Sequence, residues 1–230
     1  MLDSSSSVIT VPEEFLLLTA RLPADGNSSA VIDLPMSRIG IDYAMSGAAL
    51  MELSLRDKIE TDVEHLWLLD TTPTGEIAVD AVLAKLASMP GDLGTRIRIG
   101  DAIKELESIN AYQLALDGLK ARNAVALRSK RFLWLFNEQS LEVVDPDLVP
   151  SIRRRIGEVL FEAAIPDPRD ACLLSLTEAT KKFMRIVDAD RTQEAIRNSK
   201  NYVSLDLVGR NVALHVSRMI ESLGKYGNIV

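Results

Sequence analysis

The side chains that could do chemistry are few and scattered. Two histidines, His65 and His215, stand far apart, and a nucleophilic triad would need one of them beside a hydroxyl or thiol and a carboxylate. His65 follows Glu64 in a stretch that reads as a solvated hairpin, and His215 falls in a helical pattern as a surface or packing residue. No G-x-S-x-G elbow, P-loop, dinucleotide fingerprint or H-E-x-x-H is present. Asp145/Asp147 and Asp188/Asp190 are the nearest thing to the carboxylate sets with which a helical prenyl-chain enzyme holds magnesium and pyrophosphate. Both fall where helix caps are expected, and capping accounts for them. Cys172, the single cysteine, lies on the apolar side of a helical pattern and reads as a buried structural thiol. The sequence therefore points to no catalytic residue, no metal and no cofactor.

One stretch asks for a different chemistry. "RSKRFLWLF", residues 128–136, puts Arg128, Lys130 and Arg131 directly before Phe132, Leu133, Trp134, Leu135 and Phe136. The chain has 2 Trp and 5 Phe in all, and three of those seven stand here. Successive apolar residues in a strand face both sides of the sheet, which a two-stranded hairpin cannot cover. Aromatics beside cations are the composition of a membrane–water boundary, and subunit interfaces use the same types. The three cations carry no acid among them, and each would contribute about 1 kcal/mol near an anionic bilayer. Arg153, Arg154 and Arg155 follow soon after as a possible extension of the patch, offset by Glu138, Glu142, Asp145, Asp147 and Glu158.

The elements that must position this stretch are mostly helical. With 230 residues the chain can bury a core without staples, and 47% hydrophobic residues with only 5% aromatics favour aliphatic helix packing. A net charge of −7 excludes a globally basic nucleic-acid surface. No apolar run approaches the ~20 residues that span a bilayer. Residues 1–10 read as a flexible polar tail without a secretory signal, and 11–230 as one domain.

A helix is expected from Pro12, and a long buried one over 35–56 with Pro35 in its first turn. Along that helix Ala44, Gly47, Ala48 and Met51 recur at spacings of three and four, so another helix can approach closely. A hairpin is expected to pair 58–60 with 66–69. A helix of ~14 residues follows, with Ile77, Val79 or Asp80, Val82, Leu83 and Leu86 on one face. Two more helical segments cover 91–106 and 109–123, with Asn123 at a C-terminal cap. The passage 124–144 reads as two strands joined by a cationic turn, Arg128-Ser129-Lys130-Arg131. Beyond it come a helix whose face is Leu148, Ile152, Ile156 and Val159 or Leu160, a helix capped by Asp167 with Pro168 behind it, and two helices over 189–223. The fold class is mainly α, a multi-helix globule around a buried central helix with one or two short β-hairpins.

Four stretches, "GAALMELSLRDKIE" (47–60), "DTTPTGEIAVDAVL" (70–83), "LKARNAVALRSKRFLWLF" (119–136) and "PDPRDACLLSL" (166–176), together resemble the Golgi phosphoprotein 3 family, as does the opening "EEFLLLTA". Order and spacing hold along nearly the whole chain, and the short N-terminus resembles the family's compact bacterial branch, common in actinobacteria.

The resemblance implies a non-catalytic peripheral membrane protein that binds phosphatidylinositol 4-phosphate, inserts a hydrophobic hairpin and uses it for oligomer contacts. It also implies a protein client, since the Golgi members retain glycosyltransferases. "RSKRFLWLF" takes the place of that hairpin. The family's lipid contacts are a tryptophan and an arginine around the start of the central helix and two arginines before the hairpin. Ser37 and Ser46, then Ile109 and Tyr112, stand at those positions here, and none supplies a charge-assisted donor. Arg38, next to the first, is the candidate substitute.

The expectation is thus a cytoplasmic protein on the inner face of an anionic membrane. Phe132–Phe136 would insert or assemble, and Arg128, Lys130, Arg131 and Arg38 would meet lipid phosphates. The rival expectations are an oligomeric protein-binding adaptor without membrane contact, and an enzyme acting on an isoprenoid or lipid.

Overall fold

Two carboxylates at the first apolar helix set the plan of the interior. The computed structural model describes residues 9–23, 29–33, 36–132, 136–203 and 207–226. Helix α1 (Val11–Leu18) carries Pro12 in its first turn, where a missing N–H costs nothing. The Thr10 N–H and hydroxyl both donate to Glu13 Oε2, at 2.8 and 2.9 Å. Every residue of α1 is buried, Glu13 and Glu14 included. Packing thus begins with Thr10, and the Ile9 carbonyl accepts from Arg169 Nη1 at 3.1 Å.

A two-residue strand β1 (Val31–Ile32) leads to the central helix α2 (Arg38–Leu55). Sequence placed the start of α2 at Pro35. The helix instead begins after Ser37, whose Oγ accepts from the Gly40 N–H at 3.2 Å, because a serine hydroxyl satisfies one of the orphan donors of the first turn. From Gly40 to Leu53 every residue is buried.

Strands β2 (Ile59–Thr61) and β3 (His65–Leu68) form the expected hairpin, with Ile59 opposite Leu68. A third strand, β4 (Ile97–Arg98), joins them within a segment that sequence read as helical. Between them α3 (Ile77–Ala87) buries Ala78, Val79, Val82, Leu83 and Leu86 and leaves Ile77 exposed. Asp80 faces its own N-terminal loop, accepting from the Thr74 N–H and hydroxyl and the Gly75 N–H at 2.6, 2.7 and 2.9 Å.

Helices α4 (Ile99–Leu106) and α5 (Ala111–Ala121) lead to strands β5 (Val125–Phe132) and β6 (Phe136–Val143). Then follow α6 (Leu148–Glu162), α7 (Pro168–Thr180), α8 (Thr192–Val203) and α9 (Leu207–Tyr226). Asn123 sits one residue past the α5 cap, in left-handed backbone at φ 55°. Asp167 caps α7 with Pro168 behind it, as expected, and Cys172 is buried. The α6 face is Val149, Ile152, Ile156, Val159 and Leu160, with Leu148 only partly buried. The class is mainly α, with two small three-stranded sheets, ordered β1-β6-β5 and β2-β3-β4 among the described residues.

Close packing and buried charge hold this together. Helix α9 crosses α2 at Gly47, where a Cβ would come within 2.4 Å of Val216 Cγ2. Around α1 runs an ion-pair ladder. Glu52, fully buried, accepts from the Val11 N–H at 2.8 Å, Arg56 Nε at 2.7 Å and Arg169 Nη1 at 2.7 Å. Arg122 pairs with Glu13 at 3.2 Å and with Glu76. Arg155 pairs with Glu14 and, at 2.7 Å, with Asp170. Burial pushes the Glu52 carboxyl up, but the bonds from Arg169, Val11 and Arg56 outweigh it and hold it below its ordinary value.

Candidate functional site

The β5–β6 ribbon starts in the core and leaves it. Val125 and Val143 pair at its base and are buried. Over the next two residue pairs β1 is still present, with Val31 opposite Glu142 and Ile32 opposite Leu141. From Ser140 outward β6 pairs only with β5 among the described residues. The pairing continues without a break through Arg128–Ser140, Ser129–Gln139, Lys130–Glu138, Arg131–Asn137 and Phe132–Phe136. At ~3.3 Å per residue the last pair lies about 20 Å beyond Glu142. Leu127 is 61% exposed and Arg128 is exposed.

This corrects the sequence reading of a cationic turn at 128–131. Those residues lie within β5, because the buried Val125–Val143 pair fixes the register and the ladder runs straight through them. Of the residues expected to contact lipid, Arg128 is exposed on the ribbon, and Lys130 and Arg131 occupy its outer register positions. Phe132 and Phe136 form the terminal pair. Side chains from 129 to 139 and the whole of Leu133, Trp134 and Leu135 lie outside the described residues.

The arginine triplet on α6 does not extend this patch. Arg155 is pinned in the ladder, Arg153 donates to the Leu18 and Ala20 carbonyls at 3.2 and 2.5 Å, and Arg154 makes a surface pair with Glu158 at 2.7 Å. Three consecutive helical residues point in three directions, and two of these meet acceptors from α1 and its exit.

Arg38 sits at a second locus, where the N-termini of α2 and α5 meet. Its Nη2 donates to Asn110 Oδ1 at 2.7 Å, its Nε lies 3.4 Å from Asp42 Oδ2, and its guanidinium stands 5.7 Å over the Tyr112 ring. Asp42 also accepts from the Tyr112 N–H at 3.0 Å. Burial raises the Tyr112 phenol. The structure thus brings Ser37, Arg38 and Tyr112 into one neighbourhood, with Asn110 and Asp42 as partners that sequence did not single out. Ser37 is spent on its cap, and Ser46 is buried within α2. Arg38 already has a carboxylate, an amide and a ring, which leaves little net charge for a phosphate.

Among the described residues no group of three or more His, Cys, Asp or Glu side chains could hold a metal ion. Asp145 accepts from the Asp147 N–H at 2.9 Å, a local turn before α6. No described helix is long and apolar enough to cross a membrane.

A helical globule built around a buried central helix, from which one cationic β-ribbon extends, is the class of protein these features define. The family profile for Golgi phosphoprotein 3 (GPP34) matches residues 11–219, and the chain belongs to that family. No curated protein matches it.

Proposed function

We propose that this protein is a non-catalytic peripheral membrane protein that docks on anionic lipid through the β5–β6 ribbon. The observation that carries the reading is the ribbon itself: paired strands continue about 16 Å past their last contact with β1, with cations along them and a phenylalanine pair at the end. Phe132, Leu133, Trp134, Leu135 and Phe136 enter the boundary between headgroups and acyl chains. Arg128, Lys130 and Arg131 meet lipid phosphates, each cation contributing about 1 kcal/mol near the surface. Glu138, opposite Lys130, trims that attraction, so apolar insertion supplies the rest. Family membership supports the reading, since the resemblance implies a lipid-binding role for this hairpin.

Flotation with liposomes tests it. Wild type is expected to float with vesicles rich in phosphatidylglycerol and to sink with neutral ones. Phosphatidylinositol 4-phosphate is expected to add no more than its charge does, because Arg38 is already partnered. Phe132→Ser with Trp134→Ser abolishes flotation and leaves the circular dichroism unchanged. Unchanged flotation of that variant would refute insertion. A wild type that never floats but self-associates through the ribbon would make it a subunit interface.

A further inference from the structure

Beside the ribbon's sheet lies a cleft that the docking reading does not use. It has a volume of about 350 Å³ and lies between Arg21, Arg153 of α6 and the segment 184–189. Arg21 and Val31 exchange backbone hydrogen bonds of 2.8 and 2.9 Å, and Val31 pairs with β6, so the cleft borders the edge of the ribbon's own sheet. A second hollow of about 240 Å³ shares Arg153, Ile186, Val187 and Asp188 with it.

Its arginines are held but not neutralised. Asp33 bridges two of them, 3.4 Å from Arg21 Nε and 3.0 Å from Arg185 Nη1. Arg153 has no carboxylate within ion-pair distance among the described residues. Its Nε and Nη2 bond the Leu18 and Ala20 carbonyls, its Nη1 has no partner among the described residues, and the side chain is only half-buried. Burial, aided by the like charge of Arg185, pushes the Arg153 guanidinium down to about 10. The cleft wall carries one carboxylate, Asp188, so three guanidiniums oppose two carboxylates when Asp33 is included. A half-buried cation with spare donors, next to other cations, is the arrangement an oxyanion completes.

We infer that the cleft formed by Arg21, Arg153 and Arg185 binds the dianion of a phosphate monoester, with Arg153 Nη1 and the Arg185 nitrogens that do not bond Asp33 as donors. None of these residues occupies the positions of the family's lipid contacts, which fall at Ser37, Ser46, Ile109 and Tyr112. The site is independent of ribbon docking. Its ligand is either a soluble phosphate monoester or the headgroup of a lipid such as phosphatidic acid.

Calorimetric titration with methyl phosphate at pH 8 tests the site, followed by flotation with phosphatidic acid vesicles. Saturable binding of methyl phosphate is expected. Arg185→Gln is expected to weaken it about tenfold. Asp188→Asn is expected to tighten it severalfold, a gain that misfolding cannot mimic. Phe132→Ser with Phe136→Ser is expected to leave it unchanged, which separates this site from the ribbon. If Arg185→Gln also lowers flotation on phosphatidic acid relative to phosphatidylglycerol, the source is the lipid; if flotation is indifferent, the source is soluble. Absence of saturable binding up to about 10 mM, tenfold beyond a millimolar dissociation constant, would overturn the proposal, as would equal affinity in wild type, Arg185→Gln and Asp188→Asn.

Discussion

Arginines at the first helix and arginines on the ribbon do opposite things in this protein. Around α1, the guanidiniums of Arg56, Arg122, Arg155 and Arg169 turn inward onto Glu13, Glu14, Glu52, Glu76 and Asp170, and the carboxylates they meet are mostly buried. On β5, Arg128 is exposed, and directly across from it stands Ser140, a residue without charge. Buried pairs cost dehydration and then punish the loss of either partner, while exposed charges are nearly free to keep and nearly free to remove. One region uses charge to fix the fold, and the other leaves charge available for a surface.

The sharpest way to break this contrast is to remove the acid at the centre of the ladder. Glu52→Gln is expected to cost about 3–5 kcal/mol in urea unfolding at pH 7, since it leaves Arg169 without its carboxylate and Arg56 with only Glu76, 3.6 Å away. The pH dependence has a definite sign. Glu52 is held below its ordinary 4.5, so its contribution is complete above that value and is lost as pH falls through the lower folded-state value. The stability gap between wild type and Glu52→Gln should therefore narrow on acidification below pH 4.5. Glu14 and Asp170 run the other way. Burial, outweighing Arg155, holds both above their ordinary values, so what they contribute is greatest in acid and declines as pH rises through their folded values.

Smaller effects sharpen the same division. Gly47→Ala is expected to cost about 1–3 kcal/mol by overpacking against Val216, and Val216→Ala in the same chain should recover part of it. Within the α6 triplet, Arg155→Met is expected to cost about 2 kcal/mol, less than Glu52→Gln because the side chain is 38% exposed. Arg154→Ala, whose pair with Glu158 is on the surface, should change stability by under about 0.5 kcal/mol. Equally small, Leu127→Ser on the exposed ribbon should leave the unfolding free energy within about 0.5 kcal/mol of wild type. A large loss there would mean that the ribbon packs on something the contrast leaves out.

What was legible in the sequence followed local signals. Asp167-Pro168 announced α7, the small residues at 44, 47 and 48 announced the close approach of a second helix, and the break in helical period over 57–70 announced the hairpin that holds β3. What was not legible depended on partners far along the chain. β4 is two residues long and exists because His65 and Leu66 pair with it. The ribbon's register comes from Val125 meeting Val143, and no turn residue in "RSKR" marked the error. Arg153 and Arg155 look like a surface patch in sequence because their acceptors, on α1 and its exit, lie more than a hundred residues away. The Arg21, Arg153 and Arg185 cleft had no sequence signal, since Asp33 bridges two of its arginines only after folding.

The central claim rests on Trp134, and fluorescence reads that residue directly. Trp67→Phe leaves Trp134 as the single tryptophan, because the chain has 2. Its emission should shift to the blue on addition of phosphatidylglycerol vesicles and be quenched by lipids brominated near the headgroup. Emission that ignores the vesicles, with quenching absent, would contradict membrane docking by the ribbon.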